Sequence, residues 1–342
     1  MKHAVSRTPG TLRLFGTILL VAVAVSGPLS ACSVPVFRYA LQRWQPNSHL
    51  AVIFHRGKLS AKQAAVCKGL SVNAQNANLT VQTVDLNEDL SPWAPEFYTS
   101  GDLPRMVLLK PPRGNGSSSP KSWGAGHMVW SAPVNKASAA MVTDSPKRRE
   151  IARLIRSGQS VVWVLLDSGD AKKDAAAATL TKRVLTKLAG KLKIVRPLLT
   201  DAKRAKSKLA KLRLAFSTII VSRADRSERV LVELLLSSDK GLRDAKGPVL
   251  FPVIGRGRVM GSLVDKGITE ENIAQFAAAL TGPCSCALKA RSVSALDLLI
   301  STDWTTAAKA KPTTRPAATT RPSPKSARGS VRRRGGGDDV VE

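Results

Sequence analysis

Four cysteines and four histidines carry most of the chemistry open to this 342-residue chain. The most pointed arrangement is Gly282-Pro283-Cys284-Ser285-Cys286. Two thiols this close can close a strained disulfide ring, and strain makes such a bond labile. Nearby Lys289 and Arg291 would favour a reactive thiolate. Two thiolates can also hold a soft metal such as Cu(I), although without further ligands they fall short of a closed site. The structural alternative is a disulfide from one of them to a distant cysteine, Cys67 among the candidates, with the other buried as a small hydrophobe. Histidine supplies no catalytic triad. His55 alone follows a strand-like run, Ala51-Val52-Ile53-Phe54, at the end where α/β sites gather. His55-Arg56 could contact an anionic group, or simply hydrogen bond within its loop. His49 and His127 read as surface or edge residues. Gly255-Arg256-Gly257-Arg258 reads as a hairpin turn and not a phosphate loop, because no helix amino terminus follows it closely. No motif calls for a cofactor.

The fourth cysteine has a different setting. Lys2, Arg7 and Arg13 precede an uncharged, mostly apolar stretch, Leu14 to Ser26, which is the layout of an export signal. Gly27 and Pro28 interrupt the stretch before it reaches the ~20 residues needed to span hydrocarbon. Leu29-Ser30-Ala31-Cys32 follows and resembles a lipobox, the site at which bacterial lipoproteins are cleaved and lipidated. The expectation is a signal over residues 1–31, lipid on Cys32, and a protein tethered to a membrane in the cell envelope, facing the periplasmic side.

Composition narrows the partners. The formal net charge is +29, and removing the three basic residues of the signal leaves +26. Twelve Lys or Arg against one Asp lie between Lys182 and Arg213, and nine against three acids from Thr305 to Glu342. Such fields favour anionic envelope components, although a basic helix face can also be merely solvated. Only 4% of residues are aromatic, too few to interleave stacking groups with cations, so nucleic acid is the weaker partner. Residues 305–342 are built of Thr, Pro, Ala, Ser, Gly and cations and read as a disordered basic tail, and Pro111 to Ser122 as a disordered loop.

The elements that must position these residues alternate. Helical spacing over Val36 to Trp44 precedes a buried strand at His49 to Phe54, a helix from Ser60 to Leu70, and strands at Leu79 to Leu86, Arg105 to Lys110 and Met128 to Ser131. Ser145-Pro146 opens a helix that ends before Gly158. The order then restarts with Ser160 to Asp167, apolar enough to be covered on both faces. A helix follows over Ala175 to Leu192, then strands at Thr218 to Ser222 and Val230 to Leu236, a hairpin over Phe251 to Leu263, and a helix capped by Thr269.

Leu103-Pro104-Arg105-Met106-Val107-Leu108-Leu109 and Phe251-Pro252-Val253 look like the proline-led third strand of the thioredoxin-like fold. The resemblance implies two tandem thioredoxin-like α/β domains, residues 32–158 and 159–304. That family's redox chemistry needs C-x-x-C at the start of the helix after the first central strand. The matching places here are His55-Arg56-Gly57-Lys58 and Ser168-Gly169-Asp170-Ala171, which contain no cysteine. A conventional dithiol enzyme is therefore not supported.

Cys32-Ser33-Val34-Pro35-Val36-Phe37-Arg38-Tyr39-Ala40-Leu41 with Arg43-Trp44, Phe54-His55-Arg56-Gly57, and the Cys284-Ser285-Cys286 motif together resemble a family of exported (lipo)proteins of planctomycete-type bacteria. That resemblance implies no known activity. A motif running from the cysteine through Pro35 does leave a second reading, in which Cys32 keeps its thiol and pairs with Cys284 or Cys286. The expectation for the whole is a noncatalytic binding or scaffold protein with anionic partners. The alternative is a thiol-redox or soft-metal protein using Cys284 and Cys286.

Overall fold

Period-two burial organises the molecule around two sheets. The computed structural model describes residues 32–88, 93, 95–99, 101–112, 125–192, 214–284 and 295–309. The chain opens with β1 (Cys32–Pro35) and α1 (Val36–Arg43), followed by β2 (His49–His55), α2 (Ala61–Ala74), β3 (Leu79–Asp85), β4 (Arg105–Leu109) and β5 (Met128–Pro133). The first sheet has the order β3-β2-β4-β5, with β2 and β3 parallel and β2, β4 and β5 successively antiparallel. The Leu103–Pro104 peptide before β4 is cis. Two helices, α3 (Lys136–Thr143) and α4 (Pro146–Arg156), lead to β6 (Val161–Leu166), α5 (Ala171–Lys191), β7 (Phe216–Val221), α6 (Arg229–Leu236), β8 (Val249–Ile254), β9 (Arg258–Val259) and β10 (Leu263–Val264). The chain closes with α7 (Glu270–Thr281), β11 (Pro283–Cys284), β12 (Leu296–Asp297) and α8 (Trp304–Lys309). The second sheet runs β12-β9-β8-β6-β7, with β10 also on β8, and repeats the first: β6 and β7 are parallel, and β6, β8 and β9 successively antiparallel. The protein is thus mixed α/β with two sheets.

Alternate residues of each central strand point to different cores. Leu50, Val52 and Phe54 pack with Trp93 and Phe97 on the outer face of the first sheet. Ala51 and Ile53 face the opposite way, into a core that also takes Val162, Val164 and Leu166 from the second sheet. The other face of the second sheet, Val161, Trp163 and Leu165, meets α5, α7 and, from the far end of the sequence, α1 through Val36, Phe37 and Ala40. All six residues of β6 are buried, as a strand covered on both faces requires.

Local signals set most helix starts. Ser60 and Gln63 form a capping box at α2, Ser145 caps α4 ahead of Pro146, and Thr269 accepts from Asn272 N–H at α7. Gly255-Arg256-Gly257 makes the expected turn between β8 and β9. Gly255 sits at φ +62°, and a Cβ there would lie 2.7 Å from Ala40 Cβ, so the turn can touch α1 only with glycine.

Three expectations require correction. Val230 to Leu236 is not a strand but most of α6; a short apolar run fits a buried strand or a helix covered all round, and every residue from Val230 to Leu236 is buried here. Pro252 lies inside β8, opposite Trp163, and Pro248 is the proline that precedes the strand. Residues 305–309, expected in the tail, continue α8, whose first residue Trp304 is buried in the shared core; residues 310–342 lie outside the described residues. The two sheets share packing across residues 158 and 159. α1 belongs with the second sheet, while Ile300 N–H and Leu298 C=O bond the Asn78 side chain of the first half.

The halves are joined by buried polar groups. Arg258 donates to both oxygens of Asp297 at 2.7 and 2.6 Å, and its guanidinium lies 5.1 Å from the centre of the Trp44 ring. Asp297 also accepts from Asn47 N–H at 2.8 Å, and its carbonyl lies 2.7 Å from His49 Nε2. Removing one charge of a buried pair strands the other, so Asp297→Ala should destabilise the fold by about 3–5 kcal/mol. Chemical denaturation of the variant should show the loss, and an unchanged midpoint would mean that the pair does not stabilise the fold.

Candidate functional site

The strand ends nominated by sequence are the natural place for a site, and each proves to be filled by the chain itself. β2 ends at His55, whose Nδ1 lies 2.7 Å from Gly57 C=O and 4.0 Å from Asp85 Oδ2. Asp85, at the end of the neighbouring β3, accepts from Gly57 N–H and Asn87 N–H, both at 3.0 Å. Those two backbone donors hold its carboxyl below the usual range. Gly57 adopts φ +64°, which a glycine permits and which turns its N–H toward Asp85. Arg56 is exposed and reaches Asn87 Oδ1 at 3.4 Å. His55 and Arg56 thus take part in an ordinary loop network.

The equivalent loop after β6 is closed more tightly. Asp174 accepts from Ser168 N–H and Ser168 O–H, both at 2.8 Å, and from Gly169 N–H at 3.1 Å. Asp170 caps α5 by accepting from Lys172 and Lys173 N–H, each at 3.1 Å. In a dithiol enzyme this helix end would stabilise a thiolate or bind an anion. Here Asp170 occupies two of the helix donors, and Asp174 takes those of the loop before it.

The cysteines are dispersed. Cys67 is a free, buried thiol on α2 inside the shared core, and burial raises its pKa. β1 and β11 form their own two-stranded antiparallel ribbon in which Cys32 and Cys284 are register partners. Cys286 lies outside the described residues, as does the expected signal over residues 1–31. Among the described residues, no group of three or more His, Cys, Asp or Glu could hold a metal ion, and no helix is long and apolar enough to cross a membrane.

Cations are conspicuous on α5. Lys172, Lys173, Lys182, Arg183, Lys187 and Lys191 are all exposed along it, with Lys187 paired to Glu270 on α7. Arg149, Arg153 and Arg156 are exposed on α4.

Sequence reasoning missed the buried polar groups. His49, expected at the surface, is fully buried because β2 lies between two strands and β12 closes over its start. Arg148 is 1% exposed and bonds the Val142 and Leu299 carbonyls and Ser145 Oγ, which in turn donates to buried Glu228 at 2.6 Å. Burial lowers the Arg148 pKa to about 10, against the pull of Asp144 and Glu228. Faint signals existed: Arg148 lies three and seven residues before Ile151 and Ile155, on the apolar stripe of its helix, and Asp297 interrupts the run Ala295 to Ile300.

Burial also lowers the His49 pKa from 6.5 to about 4, although the Asp297 carbonyl opposes the shift. The unfolded chain therefore takes up a proton near pH 6.5 that the folded chain refuses until about pH 4. Stability should fall across that window by about 3 kcal/mol as the pH drops. Denaturation midpoints between pH 7 and 4 should show the decline, and His49→Gln should flatten it. No protein-family model matches the chain, and no curated protein matches it either, so function rests on this geometry.

Proposed function

We propose that the chain is an exported envelope protein that binds or scaffolds without catalysis, built of two thioredoxin-like units whose basic faces engage anionic partners. The like order and direction of strands in both sheets, with Pro104 and Pro248 ahead of the third strand of each unit, support the family reading. The observation that carries the noncatalytic reading is the closure of both strand-end loops. Asp85 holds the first, and Asp170 and Asp174 hold the second. Catalysis or anion capture there would need donors aimed at a ligand, and these donors are spent on the chain's own carboxylates.

The exposed cations of α5 provide the alternative surface, by field and not by a shaped pocket. They suit lipid headgroups or acidic glycans. Two fates are open to Cys32. One is the lipid that would fix the protein to a membrane, and the other is a bridge, taken up below.

The mature chain without lipid should sediment with vesicles rich in phosphatidylglycerol and not with phosphatidylcholine alone. That binding should vanish in about 1 M salt, where charges are screened beyond about 3 Å. Reversing Lys182, Arg183 and Lys191 together to Glu should weaken it at least tenfold. Equal binding to both vesicles, or none to either, would remove the anionic-partner reading. A thiol-redox or soft-metal role for Cys284 and Cys286 is the second reading, favoured only by the register of Cys284 with Cys32.

A further inference from the structure

We infer that Cys32 and Cys284 form a disulfide bridge across the ribbon of β1 and β11, and that this bridge takes the place of a lipid on Cys32. The two cysteines are direct register partners in an antiparallel pair. Opposed Cα atoms in such a pair lie about 4.5 or 5.5 Å apart, according to the hydrogen-bonding position. Both separations fall within the span of about 4.4–6.8 Å that a disulfide bridges without moving the backbone.

The pairing is a consequence of packing on either side of it. β1 runs directly into α1, whose Val36 is fully buried against the second sheet, and Val36 N–H donates to Gly282 C=O at 3.0 Å. β11 leaves directly from α7, where Leu280 and Thr281 are buried and Thr281 O–H bonds Ala277 C=O at 2.7 Å. Two anchored helices thus deliver the strands to each other. The register is irregular between Cys32 and Pro35, which meets Pro283. Two facing prolines donate no ladder hydrogen bonds, so a covalent link beside them would hold what the ladder holds weakly.

A lipidated lipoprotein cysteine carries its sulfur as a thioether, so lipid and bridge exclude each other. The free Cys67, buried on α2, lies outside the pairing. Bridge formation needs an oxidant, here a protein or glutathione disulfide. The Cys32 thiolate attacks that disulfide and releases one thiolate. Cys284 thiolate then attacks the Cys32 sulfur and releases the second. The protons given up by the Cys32 and Cys284 thiols pass through solvent to the two released thiolates, so the donor disulfide ends as two thiols. The inference rests on the proposed export only for the source of oxidant in the cell.

The test is a disulfide map of the mature chain, residues 32–342, taken both from the exported protein and after refolding of the reduced chain in glutathione buffer. Trypsin would leave Cys32 in the peptide 32–38 and both Cys284 and Cys286 in the peptide 267–289. The expected product joins these two peptides, lighter than their sum by two hydrogen atoms, and it separates on reduction. Cys286→Ser should keep the link and Cys284→Ser should lose it, while Cys67 stays unalkylated until the protein unfolds. The inference is overturned if peptide 32–38 from cells carries lipid, or if Cys32 remains alkylatable in the oxidised, refolded wild-type chain. It is also overturned if the link survives Cys284→Ser but not Cys286→Ser. The glutathione arm requires no export, and vesicle binding requires no bridge, so failure here is distinct from failure of the envelope-binding reading.

Discussion

Asp297 is the residue that fastens the two sheets together: its carboxylate accepts from Asn47 N–H and its carbonyl meets His49 Nε2, while Arg258, its register partner on β9, holds it in place within the second sheet. Asp297 is 3% exposed and Arg258 6%, so neither charge can be left to water. Each therefore dictates where its neighbours go: Asp297 must sit beside β9, Asn47 must turn its N–H inward, and Trp44 must cover the guanidinium. His49, at the first residue of β2, is fastened to the same residue through its carbonyl. One carboxylate and its backbone thereby set the start of the first sheet against the edge of the second. The bidentate pair with Arg258 fixes the carboxylate within the second sheet, so the hydrogen bonds that Asp297 makes to Asn47 and His49 start from a fixed anchor.

A second buried network works in parallel. Arg148 gathers carbonyls from α3 and from the segment after β12, and Ser145 passes the contact to Glu228 ahead of α6. Glu228 also takes Lys147 N–H at 2.7 Å, so it serves the amino-terminal end of α4 as well as its own turn. Both networks use the chain after residue 295, which explains how a short terminal segment can tie together elements more than 200 residues apart. The amino-terminal α1 does the reverse, crossing to the second sheet before β2 begins the first. The sheets repeat, but the chain laces them so that neither is closed by its own contiguous sequence.

This lacing bears on function. Loops at the ends of β2 and β6 stand where α/β proteins place their chemistry, yet Asp85, Asp170 and Asp174 satisfy the nearby donors. What remains outward is charge, most of all along α5. Cys32, where the described chain enters, lies beside the packed junction of α1 and α7.

By itself the sequence determined the strands with strong alternation or full burial, such as β2, β4 and β6, and the helices with explicit caps at Ser60, Ser145 and Thr269, because these signals are local and act within a few residues. It also determined that the two strand-end loops lack cysteine, and that the surface is basic. It could not distinguish α6 from a strand, since a short run that is apolar apart from Glu233 has too little period to read. The burial of His49, Arg148 and Asp297 and the placing of α1 on the second sheet were decided only in three dimensions. So was the choice of Cys284, and not Cys67, as the neighbour of Cys32. Each depends on which distant surface closes over a residue, and neither spacing nor composition records that.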